Sequence, residues 1–512
     1  MQENIYNKVF RRVCSWETLF LAVLISAAFA RLYKIGENSF WFDESWVALT
    51  VREPDLKDMF FPDYWVQTTP SLFLLASRAL AGIFGYSETV FRLMPAAAGI
   101  SSILFLYLLA KKLLRNKLFA LLSATAWAFS DVSLRYSQEF RPYALEAFCA
   151  VTVLYFAEEM FTAQAAKDRN KYFIAVTAAS LLFIGFSNSV IFVLPVIGLR
   201  MLWHSKKHKG GLSPKQAVFY SVSVLAVFSA YYSFLISRDI EPWMMKYWDY
   251  AMISSKEWGN LPVFFLERMS GLFGQVFPER WDFILFGHAI FISTALFAAG
   301  ILYLAHQRNM PALNAILLPI IIGFAISVFD MFPFGTRQSI YLAPLIIVGI
   351  SAGVEFILLP YIRHANVFAC GLIMFLVVAL PLRAFAVQNM EFDHPVEDVK
   401  TIVEWFKIVR EPDDYVVVLY RARFAFEFYD KPLDEQKNIE SVGYFGIIPN
   451  EKHGWKKSLE DAIDNKLNNG RIWIIFGANL RKKVLYFMEQ KNCEIIKEKM
   501  AENASGYLFR CG

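Results

Sequence analysis

Charge is scarce in this sequence. Of its 512 residues only 19% are Asp, Glu, Lys or Arg, against 56% hydrophobic and 17% aromatic. That balance excludes an ordinary soluble domain. The formal net charge of +5 is too small to mark a nucleic-acid partner. Five cysteines show no metal-ligand spacing. A catalytic triad, a zinc pattern and a phosphate-cradling glycine loop are also missing, so nothing points to nucleotide binding. No internal repeat and no low-complexity segment interrupts the chain. The first apolar run, Trp16–Ala30, is not followed by a small-x-small cleavage site, which reads as a retained span rather than a removed signal.

What the chain has instead is a series of apolar runs near 20 residues. Each can cross a hydrocarbon core about 30 Å thick, and each must then be helical, because lipid offers no partner for a free backbone N–H or C=O. About eleven spans are expected, near 15–33, 88–110, 117–133, 140–162, 172–187, 188–203, 216–237, 283–305, 311–329, 339–359 and 366–387. Basic residues in short loops set their orientation. Lys8, Arg11 and Arg12 precede the first span, and Lys111, Lys112, Arg115 and Lys117 follow the second. Lys167, Arg169 and Lys171 follow the fourth, and Lys206, Lys207 and Lys209 the sixth. With Arg308 and Arg363 they fall on one side, read as the cytoplasm. The N-terminus is then cytoplasmic, and the loops near 34–87, 134–139, 238–282 and 330–338 lie outside.

The chain divides at about residue 388. Residues 1–387 read as the membrane part, with 34–87 as a first outer loop whose segment Pro70–Phe84 is a surface helix. Residues 388–512 read as a small soluble α/β domain outside the membrane. Val396, Val399, Ile402, Val403 and Phe406 share a helical face, Val416–Tyr420 and Ile472–Phe476 look like buried strands, and Leu480–Gln490 suits a helix. Glu494–Lys499 and Gly506–Arg510 pair about a turn at Ala501–Ser505. A pairing centred on Glu502 sets Cys493 opposite Cys511, and in an oxidising compartment they can form a disulfide.

Ionisable residues avoid the span centres. Glu158, Glu159, Arg200 and Glu355 sit towards cytoplasmic ends, whereas Arg31, Asp43, Glu44, Arg92, Asp131, Arg135, Glu139, Arg141, Asp330 and Arg337 sit at outer edges. A transporter usually buries such groups mid-membrane, so this pattern disfavours a transporter with an external sensor domain. Three outer stretches carry candidate chemistry. In Ser39–Trp46, S-F-W-F-D-E-S-W, two acids stand among aromatics that suit a membrane–water boundary. Asp43 is either a general base or the cap of a surface helix starting near Glu44. In Arg135–Tyr143, R-Y-S-Q-E-F-R-P-Y, Pro142 and Glu139 suit a helix start. The arginines there also suit phosphate oxygens. In Phe334–Pro344, F-G-T-R-Q-S-I-Y-L-A-P, Arg337 is a phosphate ligand or a snorkelling arginine.

The runs R-L-Y-K-I-G-E-N-S-F-W-F-D-E (Arg31–Glu44), S-E-T-V-F-R-L-M-P-A-A-A-G (Ser87–Gly99) and Y-S-Q-E-F-R-P-Y-A-L (Tyr136–Leu145) resemble the bacterial GT-C glycosyltransferases. These membrane enzymes are related to the protein O-mannosyltransferases and the lipid A aminoarabinose transferase. The resemblance covers about the first 160 residues well. It implies an all-α polytopic membrane fold of about 11 transmembrane helices carrying the small α/β domain. It also implies an enzyme of the bacterial cytoplasmic (inner) membrane that moves a hexosyl or pentosyl group from a polyprenyl monophosphate to an envelope lipid, glycan or protein on the outer face. Asp43 matches the first-loop aspartate that acts as base. Arg141 and Arg337 match basic positions that neutralise the donor phosphate, and Glu139 matches a second acid. Glu44, Tyr136, Gln138, Tyr143 and Tyr341, in the same stretches, complete the expected substrate contacts. Where relatives often carry a Lys or His before Pro-Pro-Leu, this chain has Gln67-Thr68-Thr69-Pro70-Ser71-Leu72, which leaves Arg78 as a replacement. No cofactor is implied beyond the lipid-linked donor, and a divalent metal is left open. The alternative is an oligosaccharyl-type enzyme with a diphosphate-linked donor. It wants an acid-x-acid pair in a second outer loop, which the sequence does not show.

Overall fold

A computed structural model of the chain describes residues 16–61, 68–114, 116–207, 212–238, 240, 242–253, 259–276, 288–335, 337–362, 397–430, 439–442, 459–460, 462–463, 470–477 and 480–511. The expected span at 366–387 lies outside the described residues, as do Val396, Gln67 and the basic residues before the first span. The chain forms two compact units. One comprises Met1–Tyr33, Val66–Phe73 and Arg92–Ala386, and the other Lys34–Trp65, Leu74–Phe91 and Val387–Gly512.

The first unit is helical, as the apolar runs require. Among the described residues five helical segments are long and apolar enough to cross a membrane: Glu88–Leu113, Pro214–Arg238, Ala289–His306, Met310–Val328 and Arg337–Leu359. The chain is a multi-pass membrane protein. One expected span is shorter than its apolar run. Lys117–Ala128 is a 12-residue helix, after which Ser130 caps a separate helix, Asp131–Ser137, by accepting from the Ser133 N–H. A continuous hydrophobic stretch had hidden that restart. Other starts follow the sequence rules. Ser213 and Gln216 form a capping box with Pro214 in the first turn of Pro214–Phe234. At Gly185 the Ala166–Ile184 helix ends, and its carbonyl accepts from the Leu72 N–H at 2.9 Å. A Cβ at Gly185 would stand 2.6 Å from Leu72 Cγ, so only glycine permits that approach. The segment beginning at Thr68 is held further by Asn188, which donates to the Thr68 carbonyl, and by Tyr231, whose hydroxyl accepts from the Ser71 N–H.

The second unit contains a five-stranded mixed sheet in the order β2-β1-β3-β5-β4. The strands are β1 (Tyr415–Leu419), β2 (Ile439–Val442), β3 (Arg471–Gly477), β4 (Cys493–Ala501) and β5 (Ala504–Cys511). β1 pairs parallel with β2 and β3, while β5 pairs antiparallel with β3 and β4. Both faces of the central strands are buried, which is why they read as unbroken apolar runs. Val416, Val418, Trp473 and Ile475 meet the helices Val399–Val409 and Tyr420–Tyr429. Tyr415, Val417, Ile472, Ile474 and Phe476 meet Arg481–Gln490 on the other face.

Cys493 and Cys511 are disulfide-bonded. Their meeting depends on a detail the sequence conceals. From the Ala501↔Ala504 pair outward the register would carry Cys493 past Cys511, but an irregularity between Ile495 and Lys497 shifts it by one residue and brings Cys493 opposite Cys511.

Candidate active site

In the helical unit, the sequence stretches singled out above meet around Arg31. Its side chain is fully buried at the end of Trp16–Leu32. It donates to Ser137 Oγ at 3.1 Å, Ser133 Oγ at 2.7 Å, and the carbonyls of Ala27 and Ala128. Gly99 makes room: a Cβ there would stand 2.0 Å from Ser137 Oγ and 3.1 Å from Arg31 Nε. Gln138 sends its amide to the carbonyls of Ala30, Arg31 and Tyr33, closing the open end of that helix. Ser137 and Gln138 are therefore scaffold, holding the Asp131–Ser137 helix in place.

The residues they hold form a compact cationic and aromatic cluster. The rings of Tyr136 and Tyr143 meet edge to face, with centroids 4.8 Å apart. The guanidinium of Arg141 lies 5.6 Å from the Tyr143 centroid, and that of Arg337 lies 5.8 Å from the same ring and 5.6 Å from Trp248. Arg135 stands over Tyr136 and pairs with Glu139 at 2.6 Å. Two guanidiniums drawn to one ring are favoured by the ring's negative face, and forked donors of this kind suit phosphate oxygens. Tyr341 is not part of this cluster. It is buried against Phe192, with its hydroxyl packed where a Gly323 side chain would be. Glu146, one turn into the Tyr143–Thr162 helix and buried, lies within the field of Arg141. Among the described residues no group of three His, Cys, Asp or Glu side chains is placed to hold a metal ion.

The second unit holds the remaining candidates. The helix over Phe42–Arg52 begins one residue before Asp43, and its N-cap is Trp41. Asp43 is therefore not the cap that its residue type invites. It sits half-buried in the first turn, where the positive end of the helix favours a carboxylate. Glu44 is turned inward at 1% exposure.

The aromatics of S-F-W-F-D-E-S-W are packing residues rather than a belt at the water boundary. Phe42 meets Tyr420 and Phe424, Trp46 stacks on Phe424 at 5.2 Å, and Phe40 meets Phe91 and Phe428. Polar contacts fix the same stretch. The Phe40 N–H donates to the Tyr429 hydroxyl at 2.7 Å, which in turn donates to Glu88, and Lys400 also pairs with Glu88 at 2.8 Å. Arg78 donates to the carbonyls of Glu53 and Pro54, so its guanidinium ties down the 53–54 turn.

Glu397, which sequence reading missed, is 2% exposed, pairs with Arg421 through its carboxylate and accepts from Ser39 Oγ at 3.1 Å through its backbone carbonyl. Burial pushes this carboxyl above the usual carboxylate range. Arg421 and the Phe42 N–H oppose that shift, and the Asp43 charge adds to it. Trp248 was missed as well; the aromatic run from Trp243 to Tyr250 was the available signal.

Residues 68–234 match the family model described as dolichyl-phosphate-mannose-protein mannosyltransferase. No curated protein matches the chain. Among solved structures the chain is similar to ArnT from Cupriavidus metallidurans in the apo state, at 14% identity over 96% of this chain and 97% of that one, with a TM-score of 0.56. It is similar to the same protein bound to undecaprenyl phosphate, at 15% identity over 96% and 98%, with a TM-score of 0.53. An oligosaccharyltransferase from Archaeoglobus fulgidus, in complex with zinc and sulfate, aligns at 13% identity over 96% and 72%, with a TM-score of 0.54. Helical membrane segments followed by a small C-terminal sheet, matched over nearly the whole chain by these structures, give the protein the ArnT-like fold.

Proposed function

We propose that the protein is a glycosyltransferase that takes a sugar from a polyprenyl monophosphate and passes it to an acceptor on the outer face of a bacterial cytoplasmic membrane. The observation that carries the reading is the gathering of Arg141 and Arg337 on Tyr143. Two guanidiniums on one ring present forked donors of the kind that suit the oxygens of a lipid monophosphate. Support comes from the ArnT structure of shared fold, which holds undecaprenyl phosphate.

In this reading the reaction is a single displacement at the anomeric carbon. Asp43 takes the proton from the acceptor hydroxyl, the new glycosidic bond forms, and the departing phosphate leaves with its electron pair, neutralised by Arg141 and Arg337. A positioned base of this kind contributes about 10²–10⁴-fold. The basic residues at one set of loop ends support an external C-terminal domain, and the Cys493–Cys511 disulfide suits an oxidising compartment. Residues 1–387 would then be the catalytic membrane domain and 388–512 its external domain.

Mass spectrometry of envelope lipids, glycans and proteins from cells with and without the gene tests the activity. A sugar-bearing species present only with the gene is expected, and identical profiles would overturn the reading. A reporter fused after Gly512 should be active outside and one near Lys209 inside; the reverse would put Asp43 on the wrong side.

A further inference from the structure

Residues 248–253 are stitched onto the stretch that leads into Arg337, residues 327–335. The Ala251 carbonyl accepts twice from that stretch, from the Phe334 N–H at 2.9 Å and from Ser327 Oγ at 3.1 Å. The Ile253 N–H donates in return to the Ser327 carbonyl at 3.3 Å. Ala251, Ile253, Ser327 and Phe334 are all buried, so the stitches are shielded from water. Past Phe334 the chain presses against the helix Leu261–Val276. Gly335 has φ +78°, and a Cβ there would stand 2.7 Å from both the Cβ and the carbonyl oxygen of Arg268. Only glycine takes that turn at that distance. Its N–H donates to Ser339 Oγ at 3.1 Å, which fastens the turn to the start of the next helix. Arg268 also stands over Tyr250 at 5.7 Å, so the same helix touches both stitched segments.

The stitched segment begins with Trp248, whose ring lies 5.6 Å from the Arg337 guanidinium. Tyr247 meets that indole edge to face at 4.8 Å and Tyr250 lies 5.9 Å from it, so the ring is steadied by its own neighbours. Tyr143, the other ring on Arg337, is shared with Arg141. We infer that Trp248 is a positioning residue for Arg337. Its face holds the guanidinium where the fork can meet a phosphate, and the hydrogen bonds at Ala251 and Ile253 hold the face. The inference rests on the reading of Arg337 as a ligand of the donor phosphate. An arginine side chain is long and rich in rotamers, and one fixed before the anion arrives loses less freedom on binding. Loss of the ring therefore shows in donor affinity and not in the chemical step.

The test titrates the full-length protein in detergent with undecaprenyl phosphate. Transfer is followed in parallel against dilution of the native pool of polyprenyl-phosphate sugars extracted from the producing cells. Trp248→Ala should weaken undecaprenyl phosphate about threefold to tenfold, raise the apparent donor KM by a like factor and leave apparent kcat within about twofold. Trp248→Phe keeps an aromatic face and should bind within about twofold of wild type. Trp248→Leu keeps apolar bulk without that face and should resemble Ala. In the Arg337→Ala background Trp248→Ala should add less than about twofold, because the ring then has nothing to position. If Trp248→Ala yields too little folded protein, the Phe and Leu pair decides in both backgrounds. A Leu variant that binds as tightly as Phe overturns the proposal, and so does a Trp248 effect undiminished without Arg337. Wild-type affinity in Arg337→Ala overturns the phosphate reading itself, and with it the part given to Trp248.

Discussion

The two units hold the ionic groups around their candidate residues differently, although both bury acids, Glu146 and Glu158 among them in the helical unit. There cations are gathered: Arg135, Arg141 and Arg337 lie on the faces of Tyr136, Tyr143 and Trp248, and the buried Arg31 is held by two hydroxyls and two carbonyls. In the sheet-containing unit it is acids that are built in. Glu397 pairs with Arg421, Glu88 with Tyr429 and Lys400, and Asp414 with Arg471 and Trp473. A unit that collects guanidiniums on aromatic faces is prepared for an anion. A unit that buries carboxylates on hydrogen-bond donors is prepared to hold an acid in one position.

The largest effect should come from breaking the acidic half. Asp43→Asn is nearly isosteric, and Asp43 is not the helix cap, so insertion and thermal stability should be unchanged while transfer falls about 10²-fold or more. Transfer assays beside thermal unfolding in detergent check this, and a fully active variant removes Asp43 from the chemistry.

Next in size is the disulfide. Cys493→Ser with Cys511→Ser opens a loop with a sequence separation of 18, worth about 3 kcal/mol on the chain-entropy account. Exchange protection of β4 and β5 should fall, while protection of the Glu88–Leu113 helix should not. Equal loss in both would mean that the units do not unfold separately.

The cationic half should break more gently. If Arg141 and Arg337 hold the donor phosphate as proposed, Arg141→Ala or Arg337→Ala removes one charge-assisted partner, about 1.5–3 kcal/mol, or roughly tenfold to a hundredfold in affinity for undecaprenyl phosphate. Arg135 is already paired with Glu139, so Arg135→Ala should weaken binding less. Titration of each variant with undecaprenyl phosphate ranks them, and an Arg135 variant weaker than the other two would move the phosphate to the wrong end of the cluster.

The elements of the fold were legible wherever a local period reported them. Apolar runs announced the helices, and Val399, Ile402, Val403 and Phe406 announced the helix that covers β1 and β3. The break at Ser130 was hidden because a cap of one serine does not interrupt a hydropathy average. The bulge before Lys497 was hidden because register is a property of the pair and not of either strand. At the site, residue type showed that Asp43, Arg141 and Arg337 were unusual, but not what surrounds them. Arg31 was legible only as a charge at a span edge, and its hydrogen bonds to Ser133 and Ser137 were not. Glu397 could not be found at all, since Ser39, which donates to its carbonyl, lies 358 positions away in the sequence.

Asp414 gives the smallest and most specific expectation. Burial alone would raise its carboxyl, but Arg471, the Glu411 N–H and the Trp473 indole N–H all donate to it and bring it below the ordinary aspartate value of 3.8. A carboxyl held lower in the folded than in the unfolded chain binds fewer protons when folded. Its stabilisation is therefore present above the unfolded value and is lost as pH falls through the folded one. The thermal midpoint of the sheet-containing unit should accordingly drop as pH is taken from 5 to 3. Asp414→Asn keeps one acceptor but cannot titrate, so it should be less stable at pH 7 and show a flatter decline on acidification. Tryptophan fluorescence reports directly, because Trp473 is itself one of the three donors. An Asn variant with an unchanged acid slope would assign the acid sensitivity to another carboxylate.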